Sequence, residues 1–321
     1  MKEEREGHLL ITGAGGYVGL SLTAALADSC RLRCLVRREA PFREALEGAV
    51  ADPAARRAIE VIEGDICDPE TARRACKGVD VIVHLAALTG DEQPGQFNLL
   101  QTNLLGCRFM LEGAKQEGVT RFILTSTYHV YGRLRTLPPG PVSEEIPLNP
   151  VSVYASSKAL AEKVARSSGL QEVVVRLPHL YGAGVGDGDW GGVLLRFIDQ
   201  AIQDSAITLD AGAADVRDYL HISDAVDCLR RLALAGGPLR GTFNVGSGES
   251  VTLREMAEWI AEAAGKLRGR KVDLRAPAGA ESPVCRATLD LRRIREACGF
   301  EPKIKARQGI AELLGRLAPA A

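Results

Sequence analysis

The stretch LLITGAGGYVG, residues 9 to 19, decides how the rest of the chain is read. An apolar run breaks into a turn that holds Gly13, Gly16 and Gly19, and a helical pattern takes over from residue 16. Such a turn needs positive φ and close backbone approach, which glycine tolerates. The helix amino terminus, with Tyr17 and Val18 in its first turn, offers unpaired N–H groups and the positive dipole end to a pyrophosphate. A glycine triplet carries this meaning only when it closes the first strand of a strand–helix–strand unit.

The rest of the chain supplies that setting. Short apolar runs recur at HLLIT (8–12), RLRCLV (31–36), IEVIEGD (59–65), VDVIVHLA (79–86), RFILTS (121–126) and EVVVRL (172–177). Each is nearly continuously apolar rather than alternating, as strands covered on both faces are. Helical patterns lie between them at 16–28, 70–77, 97–117 and 151–168. This alternation predicts an α/β fold, a doubly wound parallel Rossmann sheet with right-handed crossovers. Past residue 177 the texture changes, with a glycine-rich loop (182–192), a helix (193–203), a strand-like ITLDA (207–211) and an amphipathic helix (252–265). DVRDYLHISDAVDCLRRLAL reads as a strand entering a helix, and TFNVGSGES (242–250) as a last strand and turn. The expected division is a Rossmann domain of residues 1–176 with 216–250, and a smaller C-terminal substrate-binding lobe of 177–215 with 251–321. That lobe would cover the carboxyl edge of the sheet, where doubly wound folds bind ligands.

Composition narrows the function classes. The 321 residues suffice for one large domain or a domain with a second lobe. At 46% hydrophobic and 25% charged, the chain reads as a soluble globular protein. A net charge of −1 argues against nucleic acid or an acidic membrane as partner. No run reaches spanning length and the amino terminus lacks the apolar core of a signal peptide, so a cytoplasmic protein is expected. Eight cysteines without a CxxC pair or Cys/His cluster predict no metal site.

The end of the second strand identifies the ribose. An acid there would accept from both hydroxyls of NAD, whereas this chain reads CLVRREA and places Arg37, followed by Arg38, at that point. Arginine's planar fork suits the extra phosphate of NADP. The expectation is NADP(H), with NAD(H) as the alternative and a pair of solvated arginines as the plainer explanation. Asp65 and Ile66 of EGDI follow the third strand, where the acid could accept from the adenine amino group. HLAA (84–87) brings Leu85, Ala86 and Ala87, small enough for a strand end to lie against the cofactor.

Further motifs complete a series: NLLG (103–106), TSTYHVYG (125–132), YASSK, RLPHLYG (176–182), VRDYLHISD (216–224) and NVGSG (244–248). With TGAGGYVG, GDI and HLAA they run in order from residue 12 to 248, and the tail ends in D-x-x-R and GFEP. In this the chain resembles the extended short-chain dehydrogenase/reductase family, which includes nucleotide-sugar epimerases, dehydratases and ketoreductases. The resemblance implies that Tyr154 is the general acid/base, that Lys158 holds the nicotinamide ribose, and that Thr127 hydrogen-bonds the reacting oxygen. It further implies that Asn103 braces the lysine region and that Thr125 and Pro178 line the cofactor. Tyr128, His179 and Arg217 would meet the substrate, Arg217 gripping the diphosphate of a sugar nucleotide. A homodimer through helices 97–117 and 151–168 is also implied. The pairing makes physical sense. A free phenol titrates near about 10, and an ammonium four residues on, on the same helix face, favours the phenolate.

The reaction is narrowed by departures from the family pattern. Dehydratases follow the threonine with an acid, whereas Thr127 is followed by Tyr128 and His129, so elimination is not expected. The arginine selector, and His179 where epimerase-like members commonly have asparagine, place an NADPH-dependent ketoreductase ahead of an epimerase working by transient oxidation. The tail reads RAPAGAESP (275–283) where a second diphosphate arginine is expected, leaving Arg275 or Arg286 as substitutes and room for a smaller substrate. A non-catalytic NADP(H)-binding redox sensor is the alternative of another class, and it would have no need of Tyr154, Lys158 and Thr127.

Overall fold

The computed structural model describes residues 7–89, 96–133, 137, 140–185, 193–203, 206–209, 216–276 and 288–317. The first half alternates as the pattern demands: β1 (His8–Thr12), α1 (Tyr17–Leu26), β2 (Arg31–Val36), α2 (Glu39–Ala49), α3 (Pro53–Ala58), β3 (Glu60–Glu63), α4 (Pro69–Cys76), β4 (Val81–His84), α5 (Gln96–Leu100), α6 (Cys107–Gln116), β5 (Arg121–Thr127), α7 (Val153–Arg166) and β6 (Gln171–Leu177). There follow β7 (His179–Tyr181), α8 (Val193–Gln203), β8 (Ala206–Thr208), β9 (Val216–Arg217), β10 (Tyr219–His221), α9 (Ile222–Leu234), β11 (Gly241–Asn244), β12 (Val251–Thr252), α10 (Leu253–Arg268), β13 (Asp273–Arg275), α11 (Arg292–Cys298) and α12 (Ala306–Leu317).

The main sheet has seven strands in the order β11-β6-β5-β4-β1-β2-β3. Every pairing in it is parallel, with Leu9 opposite both Leu32 and Val81, and Ile123 opposite Val173. All residues of β1 and β5 are buried, which is why their sequences run apolar without alternation. The order turns back on itself between β1 and β4, so a crevice opens at the carboxyl ends of those strands.

Three differences from the sequence reading have local causes. Helices α2 and α3 were not expected between residues 37 and 58. Only Phe42 and Leu46 of α2 are buried, so its apolar stripe is too thin to stand out, and α3 is a single capped turn. The Asp52 side chain accepts from the Ala54 amide at 2.8 Å and Pro53 takes the first position, which starts that turn without an apolar face. The helix expected at 97–117 is interrupted, residues Gln101–Gly106 forming a wider π-type turn between α5 and α6.

Two apolar layers cover the faces of the sheet. A separate cluster, with Phe197, Tyr219, Met256, Ile260, Ile310 and Leu314, is built chiefly by α8, α10 and α12. From the tail, Leu289, Leu291, Ile294 and Phe300 pack with the sheet instead.

Candidate active site

The glycine turn sits where β1 opens into α1. Gly13 has φ +68°, and a Cβ on it would lie 2.7 Å from the Ala86 nitrogen and 2.8 Å from its Cα. Conformation and close approach therefore both demand glycine, and the small residues of HLAA are the other half of that contact. A Cβ on Gly19 would overlap the Gly13 carbonyl oxygen. The Gly16 amide donates to that carbonyl at 3.0 Å, and Leu20 N–H to the Gly16 carbonyl at 2.9 Å. Among the described residues no side chain caps α1 and its first turn holds no acid, so its leading amides remain for an anion.

A cavity of about 380 Å³ opens from this turn, lined by Gly13, Gly16, Arg37, Asp65, Ile66, Leu85, Ala86 and Ala87 among others. Eight residues expected at the cofactor thus share one wall. Arg37 and Arg38 are exposed at its rim, with Arg38 at the amino-terminal cap of α2. The Asp65 carboxylate accepts from the Cys67 amide at 2.8 Å. Tyr17 stands apart from this wall: its hydroxyl donates to the Gly182 carbonyl at 2.8 Å, and a Cβ on Gly184 would lie 2.7 Å from its ring. Only its backbone remains for the turn, and Val18 packs against the apolar core. The cavity, the uncapped helix terminus and the cradle closed by Ala86 fit a dinucleotide.

Helix α7 carries Tyr154 and Lys158. Its start is fixed by Ser152, whose hydroxyl accepts from the Ala155 amide at 3.1 Å. Tyr154 is half-buried, whereas Lys158 is 4% exposed. Burial pulls the Lys158 pKa down to about 8, with Cys107 and Glu162 acting in the opposite direction. Asn103 sits in the π-type turn and is buried. Its carbonyl oxygen accepts from Leu88 N–H at 2.7 Å, and its amide donates to the Leu88 carbonyl and the Ser157 hydroxyl, each at 3.0 Å. Ser157 in turn donates to the Tyr154 carbonyl at 2.7 Å. Asn103 therefore braces the lysine's neighbour, tying α7 to the segment after β4.

The strand ends beside this helix bring up the remaining residues. Thr125 donates to the His84 carbonyl at 3.0 Å, and His84 Nδ1 meets the Thr12 hydroxyl at 2.8 Å. Burial first, then the Lys158 charge, pulls the His84 pKa to about 3, so this ring is neutral. The buried Thr127 closes β5, and its hydroxyl accepts from the His129 amide at 3.3 Å. Pro178 is buried between β6 and β7. The Tyr128 hydroxyl and His179 Nε2 are 2.7 Å apart, and Tyr219 stacks on His179 with centroids 5.6 Å apart. His179 keeps some surface open to solvent but is enclosed elsewhere. That desolvation, followed by the charges of His129 and Arg217, brings its pKa to about 3.

Arg217 thus lies within electrostatic reach of His179. Asp218, one acid that could have paired with it, instead accepts from the Ser247 amide and hydroxyl at 2.7 and 2.8 Å, from Gly248 N–H at 3.3 Å and from Leu289 N–H at 3.4 Å. Asp215, the other, lies outside the described residues, as do Pro277 and Arg286, while Arg275 ends β13. Sequence reasoning missed Tyr219, whose aromatic type alone does not separate a site wall from core.

A parallel Rossmann sheet, a glycine turn at the switch point and a tyrosine–lysine helix beside it define a nucleotide-dependent oxidoreductase. Residues 9–246 match the NAD dependent epimerase/dehydratase family, and the chain belongs to it as an enzyme of the extended short-chain dehydrogenase/reductase type. It is 28% identical over 316 residues to a dTDP-glucose 4,6-dehydratase of Streptomyces niveus, covering 95% of this chain and 90% of that one. It is 30% identical over 323 residues to a UDP-glucose 4-epimerase of Mycolicibacterium smegmatis, covering 94% and 96%. Among solved structures, MoeE5 in complex with UDP-glucose and NAD matches with a TM-score of 0.77 at 25% identity, over 96% of this chain and 98% of that one. No described helix is long and apolar enough to cross a membrane, and no metal-holding group of His, Cys, Asp or Glu occurs among the described residues.

Proposed function

We propose that this enzyme moves a hydride between a nicotinamide dinucleotide and the carbinol or keto carbon of a nucleotide-sugar-like substrate, with Tyr154 carrying the proton. The observation that carries this reading is Lys158, buried one helical turn from Tyr154 on a helix tied through Ser157 and Asn103 to Leu88 of the glycine-lined cleft. When bound, the nicotinamide supplies the hydride acceptor or donor. Tyr154 takes the hydroxyl proton as the substrate is oxidised and returns it on reduction. With a pKa of about 8, Lys158 is mostly charged at neutral pH, and its ammonium favours the phenolate. The Thr127 hydroxyl accepts from the His129 amide, which leaves its own hydrogen to donate to the reacting oxygen. Arg217 and the Tyr128–His179 pair face the sugar nucleotide, whose diphosphate suits a guanidinium. Of these, His179 comes from the proposed lobe of residues 177–215 with 251–321, while Tyr128 and Arg217 come from the Rossmann domain of 1–176 with 216–250.

NADP(H) is the preferred cofactor in this reading, because Arg37 and Arg38 stand at the rim where the adenosine ribose would end. A charge-assisted pair contributes about 1.5–3 kcal/mol. Arg37→Asp is therefore expected to shift the ratio of kcat/KM for NADPH over NADH toward NADH by about 10- to 100-fold. An unchanged ratio refutes the selector role and leaves NAD(H).

Net reduction of a keto sugar nucleotide ranks first: no acid follows Thr127 to drive elimination, and the arginine selector with His179 sets reduction ahead of epimerisation. The second reading, epimerisation by transient oxidation, is favoured by the relative from Mycolicibacterium smegmatis. Stoichiometric consumption of NADPH with a keto sugar nucleotide supports reduction. Interconversion of UDP-glucose and its epimer on tightly retained cofactor supports epimerisation. We further place the enzyme in the cytoplasm as a homodimer through α5, α6 and α7, where Leu160 is 44% exposed. Light scattering after gel filtration should give twice the chain mass, and a monomer throughout the micromolar range rejects the dimer.

A further inference from the structure

Glu162 lies on α7 one turn beyond Lys158 and two beyond Tyr154, and it is fully buried. Its Oε1 accepts from Arg176 Nε at 3.0 Å and from the Ser126 hydroxyl at 2.5 Å. Its Oε2 accepts from Arg176 Nη2 at 2.7 Å and from Arg166 Nη1 at 3.2 Å. The partners come from the strands that present the rest of the site. Ser126 immediately precedes Thr127 on β5, and Arg176 stands two residues before Pro178 and three before His179. The lattice continues outward: Arg176 Nη1 donates to the Tyr131 hydroxyl at 2.8 Å, which donates to the Asn244 side chain at 2.7 Å, and Asn244 donates to the Val142 carbonyl at 2.8 Å.

Apolar packing alone tolerates small slips of a helix over a sheet, whereas directional bonds in a dry interior do not. A carboxylate held on both oxygens from two strands and its own helix pins α7 in register with β5 and β6. Misplacement of reacting groups by about 1 Å costs on the order of 100-fold in rate. The groups acting on Lys158 are also few. They are Cys107 from α6 and Glu162 from α7 itself, while the Lys158 charge in turn acts on His84 of β4. His84 is neutral, and burial pushes the Cys107 thiol up to about 12, so it too is neutral at pH 7. Of the acids that act on Lys158, Glu162 supplies the standing negative charge.

We infer that Glu162 is a positioning residue of the reaction: it fixes Tyr154 and Lys158 relative to Thr127 and keeps Lys158 charged at working pH. The inference rests on the reading of Tyr154 as proton carrier. Glu162→Gln keeps the size and one acceptor but removes the charge. Its kcat should fall by at least about 10-fold, with KM for cofactor and substrate within about twofold. The alkaline limb of the kcat profile should move about one pH unit lower, because Lys158 loses its counter-charge. The double variant Glu162→Met with Arg176→Met removes both buried charges, a change often neutral for stability. Its thermal midpoint should return toward that of wild type while kcat and the alkaline limb do not. Wild-type kcat with an unmoved limb in Glu162→Gln overturns the inference, and so does recovery of both in the double variant. Tyr154→Phe, run in parallel, separates the two layers. If it is inactive while Glu162→Gln behaves as wild type, only the positioning role fails; if it turns over normally, the proton-carrier reading fails and the inference with it.

Discussion

Tyr154→Phe is expected to lower kcat by roughly three orders of magnitude while cofactor affinity stays within about twofold. The substitution removes one oxygen from a half-buried ring on the first turn of α7 and leaves the backbone bonds of that turn in place. Ser157 still donates to the carbonyl of residue 154, and Ser152 still caps the helix. The glycine turn and the 380 Å³ cavity are built from other elements, so the dinucleotide loses no contact along that wall. What disappears is the group that moves the proton as hydride moves. Water can reach a half-buried position, which is why residual turnover is expected rather than none. Steady-state turnover with saturating cofactor, paired with a fluorescence titration of NADPH, reads the two quantities separately. A variant with wild-type kcat would falsify the assignment of Tyr154, and a matching loss of affinity would show that the ring serves binding instead.

The sheet and its glycine turn were legible because their requirements are local. A strand covered on both faces carries a continuous apolar run, as Leu9 to Ile11 of β1 and Phe122 to Leu124 of β5 do, and the turn must carry glycine where Ala86 presses on Gly13. Arg37, Asp65, Ile66 and Leu85 to Ala87 were placed together by their order along successive strand ends, and they share one cavity wall. The elements that escaped notice are those without a strong period. Helix α2 buries two side chains, α3 depends on its cap, and the π-type turn around Asn103 keeps the composition of an ordinary helix. Contacts between distant segments were also invisible. Tyr17 reaches across 165 positions to Gly182, and Asp218 binds Ser247 and Leu289 instead of its neighbour Arg217. Glu162 carries no local signal of its burial, since its partners Ser126 and Arg176 lie on other strands.

Lys158→Met is expected to make the cofactor-free protein more stable at pH 7, by roughly 3 kcal/mol, while abolishing useful turnover. The stem of the lysine is already buried, and methionine fills a similar volume without a charge. Burial lowers the lysine's pKa from 10.5 to about 8, so holding the ammonium in the folded state at neutral pH costs on the order of 3 kcal/mol. The sign follows from proton counts. Between pH 8 and 10.5 the unfolded chain keeps a proton that the folded chain has released, so wild-type stability rises with pH across that window. Below about 8 the penalty is present in full, and above 10.5 it is gone. Glu162 does not lose its partners in the variant, because Arg176 and Arg166 still pair with it. Urea unfolding at pH 7 should therefore place the variant above wild type, and at pH 9.5 the gap should shrink to less than about half. Equal stability at both pH values would mean that Lys158 carries no such strain. A gap that widens with pH would mean that its charge is favourable in the fold. A charged amine kept in a dry interior against its own solvation, one turn from Tyr154, is hard to explain by stability and is what the proposed proton transfer requires.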